Sequence, residues 1–143
     1  MLIARISRLS LSDVRQVAAI CFLQVLTACA LRYVGLPTLR RGAIGLRRVA
    51  RSMAGGSEAR AIWALEASRR ILPGLSTCLT RALVAELVLA SPHRSVMLTI
   101  GIRRGERARI EAHAWVHRDG RVLVGGPSAS AYVPLISWDA PAA

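Results

Sequence analysis

Apolar residues recur at helical spacing over the first two thirds of the chain and at alternate positions over the last third. Asp13 is a helix-capping residue type, and the apolar stretch behind it runs to Tyr33, where Gly35 and Pro37 stop it; this predicts a helix over about 14–33. Residues 38–57, "TLRRGAIGLRRVARSMAGGS", predict a short basic helix followed by a loop at "AGGS". Ser57 as N-cap, Glu58 in the first turn and Pro73-Gly74 at the end frame a third helix, with Ile62, Leu65, Ala67 and Ile71 as its apolar side. A fourth begins at Ser76 or Thr77 and carries "CLTRALVAELVLA" to Ser91-Pro92.

Beyond Pro92 the period changes to two. "SVMLTIGI" places Val96, Leu98, Ile100 and Ile102 on one face, as in a half-buried strand. "RIEAHAWVH" alternates as well, with Glu111, His113, Trp115 and His117 on one side and Ile110, Ala112, Ala114 and Val116 on the other. Asp119-Gly120 is a hairpin signal, "RVLV" returns antiparallel, and "GGPS" ends that strand. Helices first and a sheet second predict an α+β fold. No internal repeat or low-complexity segment is present.

At 143 residues, 53% of them apolar, the chain suits one domain with a substantial core. The net charge is +12, and all 20 basic residues are arginine. Such a field attracts acidic peptides, nucleic acid or anionic lipid without choosing among them. The arginines are spread over every segment and aromatics make up only 4%, which argues against a nucleic-acid surface. Cys21, Cys29 and Cys78 are odd in number and lack paired spacing, so neither a disulfide framework nor a CxxC zinc cage is expected, and a reducing cytoplasm fits. Cys21 and Cys29 read as small buried apolar residues of the first helix. The amino terminus has basic residues before an apolar run, as a signal peptide does, but no small-x-small cleavage site precedes a polar start. The uncharged interval between Arg15 and Arg32 is 16 residues, short of the ~20 that span a bilayer. A buried or interfacial helix is expected there, with peripheral membrane contact left open.

Cys78 differs from the other two cysteines. It follows a Pro-Gly break at the point where the fourth helix starts. A thiol is a useful nucleophile as its thiolate, which the unpaired N–H groups and dipole of a helix amino terminus favour. The same N–H groups can receive the oxyanion when a carbonyl is attacked. His113, on the strand about 35 positions downstream, is the candidate general base if the helix start packs against that strand. Trp115 faces the same way and would wall the site or fill core. His93 and His117 have no partner pattern. A zinc site built from Cys78, His93, His113 and His117 lacks recognisable ligand spacing, and neither metal nor cofactor is expected.

Together, "LPGLSTCLTRALVAELVL", the strand ending in "IGI", and "EAHAWVHRDGRVLVGGPSASAYVPL" resemble the transglutaminase-like cysteine peptidases of lasso-peptide biosynthesis, which remove the leader from a precursor peptide. The "AIWALEASRR" helix is similar too, and the resemblance covers roughly residues 57–136. Members of this group occur either fused to a small leader-binding domain, the RiPP recognition element, or as a separate chain. This chain resembles the stand-alone peptidase of a split system. The resemblance implies a papain-like core over 57–143, preceded at 1–56 by a helical region suited to docking partners. It implies Cys78 as nucleophile, His113 as base and then acid, and as partners the precursor peptide, a separate leader-binding protein and a lasso cyclase.

It also implies a third residue that orients the imidazole, commonly an aspartate on the strand after the histidine. Here the sequence departs from the pattern. With a two-residue turn at Asp119-Gly120, Gly126 faces His113, beside Gly125, and neither has a side chain. Asp119 lies six residues along the strand from His113, about 20 Å away, and reads as a turn former. Ser128, a backbone carbonyl, a water or a group elsewhere would have to orient the ring. Two other readings keep the fold: a non-catalytic basic adaptor, and an acyltransferase, because a thioester does not dictate whether water or an amine attacks it.

Overall fold

The computed structural model describes residues 10–140. Four helices come first: α1 (Leu11–Tyr33), α2 (Leu36–Ala54), α3 (Glu58–Ile71) and α4 (Cys78–Leu89). Four strands follow, β1 (Val96–Arg104), β2 (Ile110–Arg118), β3 (Arg121–Val124) and β4 (Val133–Ala140), with short 3-10 turns at Glu106–Ala108 and Pro127–Ala131. The strands form one antiparallel sheet in the order β3-β2-β1-β4. The α+β expectation holds.

The helix ends follow local chemistry. α1 begins three residues before the expected start because Ser10 is its N-cap; the Ser10 hydroxyl accepts from the Asp13 backbone N–H, and the Asp13 carboxylate accepts from Ser10 N. Asp13 is therefore the N3 member of a capping box and not the cap itself. α2 is longer than expected. Pro37 sits inside its first turn, where a missing N–H costs nothing, so the residue that stops α1 also starts α2. Ser57 caps α3 and Thr77 caps α4, each accepting from the N–H three residues on.

α4 is the central helix, buried along nearly all its length against α1, α2, α3 and the sheet. Its Ala82, Val84, Ala85 and Leu89 join Leu98, Ala114, Val116 and Val124 from the sheet and Ile20, Ala50, Ala64 and Leu65 from the other helices in one core. α3 turns Ala61, Ala64, Leu65 and Ser68 inward. Ile71 is exposed and Ala67 only half-buried, so the inward face is rotated from the expected one towards smaller residues that let α3 pack close.

α1 departs most from the usual pattern. Its buried side consists of Gln16, Ile20, Gln24 and Thr27, while Leu11, Val14, Phe22, Leu26 and Tyr33 are exposed. Side-chain hydrogen bonds hold it: Gln16 Nε2 donates to Gly55 O, and Gln24 Nε2 to Ser68 Oγ. Cys29 is exposed and Cys21 half-buried, contrary to the expectation of two buried thiols, because both lie towards the outward face. By length and composition α1 is the one helix among the described residues apolar enough to cross a membrane, with 28% of its most apolar stretch buried.

Candidate active site

Cys78 is the first residue of α4 and is half-buried against the core. The turn that delivers it is tightly pinned. Thr77 Oγ1 accepts from Thr80 N at 3.2 Å, and Thr80 Oγ1 donates to Leu75 O at 2.8 Å. Arg81 N continues the helix to Thr77 O. Among the described residues, the backbone N–H groups of Cys78 and Leu79 have no acceptor, as a helix start requires. They are free donors beside the thiol.

His113 sits near the middle of β2, paired with Gly101 of β1. Ala114 and Val116 face the helices, so His113, Trp115 and His117 alternate to the other side, where His117 Nε2 meets Thr99 Oγ1 at 3.0 Å. α4 and β2 are aligned at one end, because the Arg118 guanidinium donates to Leu89 O, the last residue of α4. Cys78 and His113 make no hydrogen bond with one another, and the imidazole lies on the sheet face turned away from the helices, so the structure does not bring the two side chains into contact.

Two irregularities in the sheet shape the surroundings of His113. β3 carries an extra residue, Leu123: Val116 pairs with Val124 but His117 with Val122. This bulge shifts the register by one and sets Gly125 against Trp115, so His113 meets the Gly125 carbonyl from two residues along the strand and not as its direct partner. β3 ends at Val124, which leaves the edge of β2 away from β1 without a strand neighbour at His113. Across that open edge the ring nitrogen Nε2 lies 2.8 Å from Gly125 O. A carbonyl only accepts, so Nε2 carries the proton and Nδ1 keeps its lone pair. Of the alternatives open for the orienting group, the structure selects a backbone carbonyl.

Gly125 also explains why no side chain stands there. Its φ is +119°, and a Cβ on it would overlap Trp115 Cβ and crowd the Trp115 backbone. On β4, Leu135 is the extra residue, since Ile100 pairs with Ile136 and Gly101 with Pro134. This second bulge brings the start of β4 over Gly101, where a Cβ would come within 2.7 Å of both Trp115 Cη2 and Val133 O. Tyr132 is carried with it and lies 5.0 Å from the His113 ring, centroid to centroid; Trp115 is at 6.0 Å on the same strand. Sequence reading named neither Tyr132 nor β4, although the run "YVPLISW" alternates weakly enough to have pointed to a strand.

Asp119 has φ +49° and Gly120 φ +75°, as the two-residue turn demands, and Asp119 is remote from the ring. Ser128 is exposed in the 3-10 turn and makes no hydrogen bond to His113. Among the described residues no group of His, Cys, Asp and Glu is arranged to hold a metal.

A family model described as the transglutaminase-like superfamily matches residues 23–137. The chain belongs to that superfamily. The transglutaminase-like fold commonly serves cysteine peptidases and acyltransferases. No curated protein and no solved structure gives a significant match. The match starts within α1, so the second half of α1 and all of α2 fall inside the transglutaminase-like unit.

Proposed function

We propose that this transglutaminase-like protein is the cysteine peptidase that removes the leader from a ribosomally made lasso-peptide precursor. The observation that carries the reading is the His113–Gly125 hydrogen bond, which leaves Nδ1 available as a base, while Cys78 stands at a helix start with its neighbouring N–H groups free. Nδ1 takes the Cys78 proton as the sulfur attacks the scissile carbonyl carbon. The oxyanion is received by the N–H groups of Cys78 and Leu79. The imidazolium then protonates the leaving amine nitrogen, the C–N bond breaks, and a thioester remains on Cys78. Water attacks the thioester with His113 again taking the proton, and the S–C bond breaks. A neutral carbonyl stabilises the imidazolium less than a carboxylate would.

A separate leader-binding protein supplies the peptide and a lasso cyclase takes the product, all in the cytoplasm. The exposed apolar stripe of α1 is the surface on which such a partner docks; peripheral membrane contact is the competing use of the same stripe. The test is intact-mass analysis of precursor incubated with the leader-binding protein and this chain. Two products whose masses sum to precursor plus one water support hydrolysis. Products without the added water favour acyl transfer to an amine. Binding without turnover in every combination of partners returns the protein to the adaptor reading.

A further inference from the structure

We infer that Tyr132 is a positioning residue that does for His113 what an aspartate side chain would otherwise do. This rests on the proposed role of His113. The ring has one hydrogen-bond partner, Gly125 O, and one bond leaves an imidazole free to rotate about the N–H···O axis and to flip. The remaining restraint comes from rings. Tyr132 lies 5.0 Å from the imidazole centroid at an interplanar angle of 32°, and Trp115 is nearly parallel at 6.0 Å. Aromatic pairs at these separations prefer defined geometries.

Tyr132 is itself held. The Arg103 guanidinium lies over its ring, 4.9 Å from the centroid. Arg103 is fixed in turn by Glu111, its Nε donating to Glu111 Oε2 at 2.7 Å. The backbone is built for the approach: Gly101, directly across from His113, has no Cβ, and the Leu135 bulge carries Tyr132 and Val133 into the space. Glu111, Arg103, Tyr132 and His113 thus form one chain of contacts from the sheet surface to the base. An imidazole held this way keeps Nε2 on the carbonyl and Nδ1 free, without a carboxylate.

The experiment reads the tautomer of His113 directly by long-range proton–nitrogen NMR, alongside the cleavage rate. In the wild type the neutral ring should show a protonated Nε2 and a bare Nδ1. Tyr132→Phe keeps the ring and should preserve both the signature and kcat. Tyr132→Leu should average the two nitrogen signals and lower kcat about tenfold with KM little changed. Arg103→Gln, at an exposed position that tolerates change, should broaden the Nε2–H signal in a folded protein even if the Leu variant misfolds. A wild-type ring that populates both tautomers overturns the inference. So does a folded Tyr132→Leu variant with an unchanged His113 signature, or a Phe variant that behaves like Leu. The spectra are informative without turnover, so a failure of peptidase activity and a failure of this inference are separately visible.

Discussion

At the residue scale, the site turns on glycines. The sequence showed that an aspartate is missing where the superfamily resemblance implies one, and it offered a backbone carbonyl among several replacements. It could not choose, because the choice depends on the path of the backbone beyond β3, and the Leu123 bulge that sets that path leaves no mark in composition or alternation. The structure makes restoring the aspartate harmful. Gly125→Asp must place a Cβ into Trp115 at a φ of +119°, and is expected to cost about 1–3 kcal/mol of stability in a denaturant titration and to lower activity. Cys78 and His113 were both singled out as candidates from position and residue type. Cys78→Ala is expected to lower cleavage about a thousandfold or more with the fold retained, measured by product formation and circular dichroism.

At the element scale, helix starts and the hairpin turn were readable from Ser57, Thr77 and Asp119-Gly120, since each signal is local. The inward face of α1 was not. Its apolar residues point out and its glutamines in, and only the tertiary partners Gly55 and Ser68 explain that. The α1 start makes a pH prediction. Hydrogen bonds from Arg60 and Ser10 hold the Asp13 carboxyl down at about 2, from 3.8. A depressed folded value means that the stabilisation is present above about pH 4 and is lost as pH falls towards 2. Asp13→Asn should therefore melt below wild type at neutral pH, and the difference should close near pH 2. Between α2 and α4, Glu86 accepts from Arg40 Nη2 at 2.8 Å and Arg47 Nη2 at 2.9 Å, both arginines on one face two turns apart. Arg47 and Glu86 are buried. Glu86→Gln removes the charge both guanidiniums share and is expected to cost about 3–5 kcal/mol in urea unfolding.

At the scale of the whole molecule, an excess of positive charge and an exposed apolar stripe occur together in the amino-terminal part of the chain. Residues 1–57 hold nine arginines and one aspartate, and α1 exposes Phe22 at 52% and Leu26 at 50% on one stripe. Such a stripe on a folded domain marks an interaction surface. Phe22→Glu with Leu26→Glu is expected to abolish capture by the leader-binding protein while leaving the melting temperature within a few degrees of wild type. Loss of vesicle binding with capture intact would assign the stripe to the membrane instead. The division of labour would then be α1 outward for partners, α4 inward for the core, and the α4 start with β2 for chemistry.

The role of Cys78 as a nucleophile served by His113 can be tested without knowing the substrate. The measurement is the alkylation rate of each cysteine at pH 6, followed by peptide mass mapping in wild type and His113→Ala. Cys29 is an exposed internal reference, and burial pushes the Cys21 thiol up. Cys78 is expected to react about tenfold or more faster than Cys29, and His113→Ala to bring it down to the Cys29 rate. A Cys78 that reacts no faster than Cys29, or that ignores the loss of His113, would contradict it.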